Sequence, residues 1–223
     1  MNTVLRLLLV AVALAVGLGG AAPGAGQAAP GFVAIVLGAG GGPGQDDLSA
    51  YLLAPAGSSD FVALDAGTLL AGIRTAWAAG SFRGIMPPAD APLGPEGWIL
   101  RERVRAYLIS HAHLDHVAGL VIDSPEDASK EILGLPATID VIRDHLFNWR
   151  VWPNFGDEGE APLKKFRYVR LVPGREHAIA GTAMTVEPFE LSHSGVLSTA
   201  FLVRAGGAAA LYVGDTGPAA VEF

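Results

Sequence analysis

The segment Ser110-His111-Ala112-His113-Leu114-Asp115-His116 restricts this chain more than any other stretch, because it places four potential metal ligands within six residues, directly behind an apolar run ending at Ile109. With six His in 223 residues, the expected chance frequency of such a cluster is about two in ten thousand, so coincidence explains it poorly. In an extended stretch His111 and His113 point to the same side, and a turn at Leu114 sends Asp115 and His116 towards a neighbouring position. Two adjacent metal positions follow. The chain has no Cys; neutral imidazole and carboxylate are then the donors expected of zinc, and manganese or iron accept much the same set. Closed structural zinc sites are usually cysteine-rich, whereas a His/Asp set leaves room for water, which favours a catalytic site.

The remainder of the sequence limits what such a site can serve. Apolar residues make up 51% and charged ones 17%, which suits one globular domain and excludes a disordered or collagen-like chain, while the missing cysteines exclude a disulfide framework or a thiolate zinc finger. A net charge of −7 argues against a nucleic-acid polymer as partner, since such binding draws on basic surface, and favours a small molecule. Residues 1–28 read as a secretory signal: Arg6, an apolar run from Leu7 to Leu18, then small residues that permit cleavage after Ala21 or Ala28. The run is shorter than the roughly 20 residues that span a bilayer, so a periplasmic or secreted protein without stable membrane insertion is expected, with an uncleaved anchor as the alternative.

Strands are predicted at Phe32–Leu37, Phe61–Leu64, Arg105–Ser110, Ala183–Phe189, Thr199–Arg204 and Ala208–Val213, and a helix at Leu69–Ala79 with Leu70, Ile73 and Trp77 on one face. Met86–Gly97 reads as a proline-rich loop. No repeat or composition break divides residues 31–223, which are taken as one domain. The glycine cluster Gly38–Gly44 fits neither a dinucleotide fingerprint nor a P-loop, and is read as a tight turn that uses glycine's tolerance of positive φ. Asp46-Asp47 and Glu126-Asp127 are read as solvated turns. The aromatic group Phe147, Trp149, Trp152 and Phe155 is read as core packing around a buried turn, with purine stacking as the alternative; Asn148 and Asn154 could donate to a base, but no spacing selects them. Neither G-x-S-x-G nor H-E-x-x-H occurs.

The H-x-H-x-D-H segment resembles the signature of the metallo-β-lactamase superfamily. His111 to Pro125, together with Leu37-Gly38 through Pro43, Ser49–Leu52, Leu64–Gly67 and Phe147–Asn154, resembles the class II cyclic-nucleotide phosphodiesterases. The resemblance implies an α/β (α+β) chain folded as an αββα sandwich with a dinuclear centre at one edge. It also implies that His193 and Asp215 complete the ligands: His111, His113 and His193 for one ion, Asp115 and His116 for the other, Asp215 shared. Two divalent ions, Zn2+ above all, are the implied cofactors, and a small-molecule 3′,5′-cyclic nucleotide, cAMP or cGMP, is the implied substrate, hydrolysed to a nucleoside 5′-monophosphate. Catalytic roles fall to Asp115, His116 and Asp215, with ions about 3.5–4 Å apart activating the attacking water.

The family's second ion takes a further histidine beyond the shared aspartate, and no candidate follows Asp215 before Phe223. The sandwich is therefore expected to be incomplete at the C-terminus, with the second ion weakly held, and His145 and His177 are expected to be surface or supporting residues rather than ligands. Another hydrolase on the same scaffold, acting on a lactone, thioester, sulfate ester or β-lactam, is the alternative; a non-catalytic metal-binding remnant is another. Pairing of the chain with a copy of itself is left open.

Overall fold

A computed structural model describes residues 31–42 and 44–217, so the predicted signal over 1–28 lies outside the described residues. In chain order the elements are β1 (Phe32–Gly38), β2 (Ala50–Pro55), β3 (Phe61–Leu64), α1 (Leu70–Ala78), α2 (Gly94–Glu102), β4 (Val104–Leu108), α3 (Leu114–Ile122), β5 (Lys130–Gly134), α4 (Pro136–Val141) running on into a π-helical turn (Ile142–Leu146), β6 (Phe166–Arg170), β7 (His177–Ala178), β8 (Thr185–His193), β9 (Val196–Ala205) and β10 (Ala208–Val213). No described helix is long and apolar enough to cross a membrane.

Period-two alternation divides the first sheet between two cores. Leu52, Ala54, Phe61, Ala63 and Ile132 face one side, where α1 to α4 and the π-helical turn add Ile73, Ile99, Leu120, Ile139 and Ile142. Tyr51, Leu53, Val62, Leu64 and Leu133 face the other, against Val186, Phe201 and Val203 of the second sheet. The layers are thus helices, sheet, sheet. The first sheet runs β1-β2-β3-β4-β5-β6 and the second β10-β9-β8-β7. From β3 to β6 the strands are parallel, which puts the ends of β3 and β4 on one edge and fixes where the segments after them emerge. Among the described residues, no helix packs on the outer face of the second sheet.

Local chemistry explains where sequence expectation and structure part. Residues 94–97, assigned to a loop, open α2, because Pro95 needs no amide partner in a first helical turn. Leu114, read as a turn, begins α3. Gly119 allows that helix to sit against the loop after β3, since a Cβ there would come within 2.9 Å of the Ala66 carbonyl oxygen. The glycine cluster does turn the chain, but none of its described glycines has positive φ. It is close approach that demands glycine: a Cβ on Gly38 would lie 2.0 Å from the Leu48 carbonyl oxygen. Asp46 and Asp47 are exposed as expected. Asp127 is not a solvated turn residue: it is buried, taking a hydrogen bond from the Tyr107 hydroxyl at 2.5 Å and an ion pair from Lys130 at 2.7 Å.

Candidate metal centre

Three chain segments converge at one edge of the sandwich. The first follows β3, where Asp65 adopts φ +57, a left-handed conformation costly for a residue with a Cβ. The second follows β4 and carries Ser110, His111 and His113 into the first turn of α3, which holds Asp115 and His116. The third comes from the second sheet, where β8 runs on to His193 and the segment behind β10 carries Asp215.

The resulting geometry brings most of the expected ligands together. His111, His113 and His193 offer ring nitrogens that all lie within 4.8 Å of one another, and so do His111, His116 and Asp215 with theirs. His111 Nε2 is 3.0 Å from His113 Nδ1. The Asp215 carboxylate reaches both ways, with Oδ1 3.5 Å from His116 Nε2 and Oδ2 3.7 Å from His193 Nε2. Asp115 stands beside these sets without belonging to either: Oδ2 is 3.7 Å from His116 Nε2 and accepts the Gly42 amide at 3.0 Å. His145 is exposed on the π-helical turn, and His177 Nε2 accepts the Val172 amide; neither joins the cluster.

Asp65, to which the sequence reading gives no role, organises the whole arrangement. It is fully buried. Oδ1 accepts the Ser110 amide at 2.7 Å, and Oδ2 accepts the Ser110 hydroxyl at 2.8 Å, His116 Nδ1–H at 2.7 Å and the Tyr212 hydroxyl at 2.5 Å. Because the Ser110 proton goes to Asp65, Ser110 Oγ is left to accept His111 Nδ1–H at 3.1 Å. Both rings are thereby fixed with Nδ1 protonated and Nε2 turned into the cluster, the way carboxylate or hydroxyl partners orient metal-binding imidazoles. The one sequence signal for Asp65 is an acidic residue closing an apolar run just before Ala66-Gly67.

Electrostatics follow from this crowding. Burial, then the charge of neighbouring His116, push His111 down to about 4, and burial followed by His193 lowers His113. Burial also opposes charge on His116, but hydrogen bonds to Asp215 and Asp65, with their charges, outweigh it and hold that ring up at about 10. The same bond holds Asp215 down to about 2. His111 and His113 thus offer neutral ring nitrogens beside the ionised Asp215 carboxylate, and a divalent ion would take the place of the proton that His116 Nε2 otherwise holds towards Asp215, a donor set that suits ions such as zinc. The residues present therefore fit such ions.

The aromatic group lies elsewhere. Trp152 Nε1 donates to Ser124 Oγ, beyond the C-terminal end of α3, whereas the histidines flank that helix's N-terminal end. Phe147 is fully buried and stacks edge-on against Phe155 at 6.2 Å. Phe147 belongs to the core, with Phe155 and Trp152 packed against it, while Trp149 is exposed and donates to the Glu160 carbonyl.

The family of class-II cAMP phosphodiesterases matches residues 32–222. A 3′,5′-cyclic-nucleotide phosphodiesterase of Aliivibrio fischeri is 44% identical over 86% of this chain and 58% of its own length. A probable enzyme of the same description from Yersinia pestis is 41% identical over 86% of this chain and 56% of its own. This chain thus spans between half and two thirds of the length of these relatives. The crystal structure of unliganded yeast PDE1 is similar with a TM-score of 0.61 at 25% identity, over 78% of this chain and 61% of that one. The metallo-beta-lactamase fold protein YhfI of Bacillus subtilis aligns with a TM-score of 0.52 at 16% identity, over 80% of this chain and 59% of that one, a likeness of fold.

Proposed function

The chain belongs to the class-II cAMP phosphodiesterase family, and on that premise we propose that it hydrolyses 3′,5′-cyclic nucleotides to nucleoside 5′-monophosphates, with two divalent ions, zinc by preference, held by the convergent cluster. The observation that carries this reading is the meeting of His193 and Asp215, from the second sheet, with His111, His113 and His116 of the first. His111, His113 and His193 would hold one ion, His116 the other, and Asp215, with one oxygen towards each set, would bridge. Bound there, such ions supply Lewis-acid polarisation of the phosphoryl oxygens and bring the pKa of a water towards about 7.

The chain's own residues do the rest. Asp65 and Ser110 keep His116 and His111 in the one tautomer that presents Nε2. Asp115, tethered by the Gly42 amide, is placed to orient a water for in-line attack on phosphorus. It would take a proton from that water as the new P–O bond forms and pass it to the 3′ oxygen as the P–O3′ bond breaks. Local cations also reconcile an anionic substrate with a chain of net charge −7.

Assaying cAMP, a generic phosphodiester and a lactone, each with and without a chelator, tests the proposal. Turnover of cAMP that the chelator abolishes is expected. Turnover of the lactone alone, or of cAMP unaffected by the chelator, overturns it. Export is part of the same proposal, supported by the basic and apolar pattern of residues 1–28. N-terminal sequencing of protein recovered outside the cytoplasm should begin after Ala21 or Ala28.

A further inference from the structure

Tyr212 lies three residues ahead of Asp215, on β10, and its hydroxyl is directed out of its own sheet. It donates to Asp65 Oδ2 at 2.5 Å and accepts from the Ser49 hydroxyl at 3.3 Å, while its ring tilts against Tyr51 at 5.7 Å. Asp65, Ser49 and Tyr51 all belong to the first sheet or the loops leaving it. The bond is therefore a strut between layers. It ends on the same carboxylate oxygen that accepts His116 Nδ1–H, and His116 Nε2 in turn faces Asp215 Oδ1 at 3.5 Å. A closed circuit results: Tyr212 to Asp65, Asp65 to His116, His116 to Asp215, and Asp215 back along the chain to Tyr212. Asp65 has left-handed φ, a strained conformation that persists only where surrounding contacts hold it.

We propose that Tyr212 is a positioning residue of the metal centre: by donating to Asp65 it sets the spacing between the strand that delivers Asp215 and the His116 ring that Asp65 orients. The proposal rests on the reading of this cluster as a metal centre. A phenol that only satisfied its own hydroxyl while filling the core would act differently, since its loss would lower stability and leave metal affinity alone.

The test is Co2+ titration of the full chain as wild type, Tyr212→Phe, Asp65→Asn and the double variant, alongside thermal unfolding of each without metal. Tyr212→Phe keeps the ring and its packing. Its Co2+ affinity should fall about tenfold or more, as loss of partners around metal ligands commonly does. In the double variant affinity should be no weaker than in Asp65→Asn, because the phenol acts through that carboxylate. Unchanged Co2+ affinity in Tyr212→Phe with a lowered unfolding temperature overturns the role and leaves the metal centre standing, as does simple additivity in the double variant. A wild type that takes up no Co2+ overturns the metal centre itself, and the role with it.

Discussion

Two buried polar clusters sit at opposite ends of the parallel strands, and they are built on opposite rules. At the start of β5, Lys130 Nζ meets Asp127 Oδ1 at 2.7 Å and the Leu100 carbonyl at 2.7 Å, and lies 5.3 Å from the centre of the Tyr107 ring, while Asp127 Oδ2 takes the Tyr107 hydroxyl. Each charge there ends on an opposite charge or a hydrogen-bond partner, and the cluster is closed. After β3 and β4, His111 and His116 are as deeply buried, 1% and 2% exposed, yet their Nε2 atoms face groups that can all ligate a metal, His113 and Asp215. Buried polarity by itself therefore does not mark a site. Ring nitrogens and a carboxylate drawn from separate segments onto one point do, because one cation can take their lone pairs together.

Substitutions at the two ends should separate accordingly. His113→Ala removes a nitrogen from the three-histidine set. It should lower cyclic-nucleotide hydrolysis by at least about a hundredfold, the upper range for disturbing metal ligation, with circular dichroism near that of wild type; full activity would break the distinction. Asp127→Ala should do the reverse. It strands the Lys130 ammonium and the Tyr107 hydroxyl in the core, at a cost of about 3–5 kcal/mol, read in denaturant unfolding, while Co2+ affinity of the folded fraction stays unchanged.

The two ends were unequally legible in the sequence. The metal end announces itself because His111, His113 and His116 are local in the chain, and one short window carries the chemistry. His193 and Asp215 are distant, and only resemblance points to them. Asp65 has nothing in its neighbourhood that predicts three donors on one oxygen, since those donors come from β10, α3 and the segment after β4. At the closed end, Glu126-Asp127-Ala128-Ser129 has the composition of an exposed turn, and only tertiary contact with Tyr107 and Lys130 makes Asp127 a core residue. The same limit applies to the elements. α1 shows through its periodicity, whereas β5, Lys-Glu-Ile-Leu-Gly, is buried along its whole length despite two charges, and tertiary pairing overrides its weak strand propensity. α3 contains Gly119 and the β-branched Val117 and Val121, poor helix formers that its packing against the Ala66-Gly67 loop makes tolerable.

A glycine joins the metal end to the second sheet and sharpens the contrast at intermediate size. A Cβ on Gly214 would stand 2.6 Å from Ser110 Cβ and 2.9 Å from Ser198 Oγ. Ser110 cannot withdraw without disturbing both Asp65 and His111. Gly214→Ala should therefore cost about 1–3 kcal/mol, as overpacking does, and also weaken Co2+ binding. An Ala variant with lowered stability but unaltered metal affinity would mean that Ser110 gives way without carrying the histidines along.

The smallest effect should come from charges that are paired but wet. Glu158 takes a two-pronged bond from Arg170, 2.6 and 2.8 Å, and Arg143 approaches at 3.4 Å. The Arg170 bond holds the carboxyl below its usual value of 4.5. A carboxyl depressed in the folded state stabilises above its unfolded pKa, and that contribution disappears as acid protonates it. With 37% of the side chain exposed, solvent screening limits the gain to about 1 kcal/mol or less. Wild type should exceed Glu158→Gln by that margin at pH 7, and the difference in unfolding free energy should shrink as pH falls below about 4.5. The subtraction between the two proteins cancels the other carboxylates, which titrate in both. A difference that widened towards acid would mean that Glu158 is held by something other than its arginines, and would move it from the solvated rim into the class of the closed Asp127 cluster.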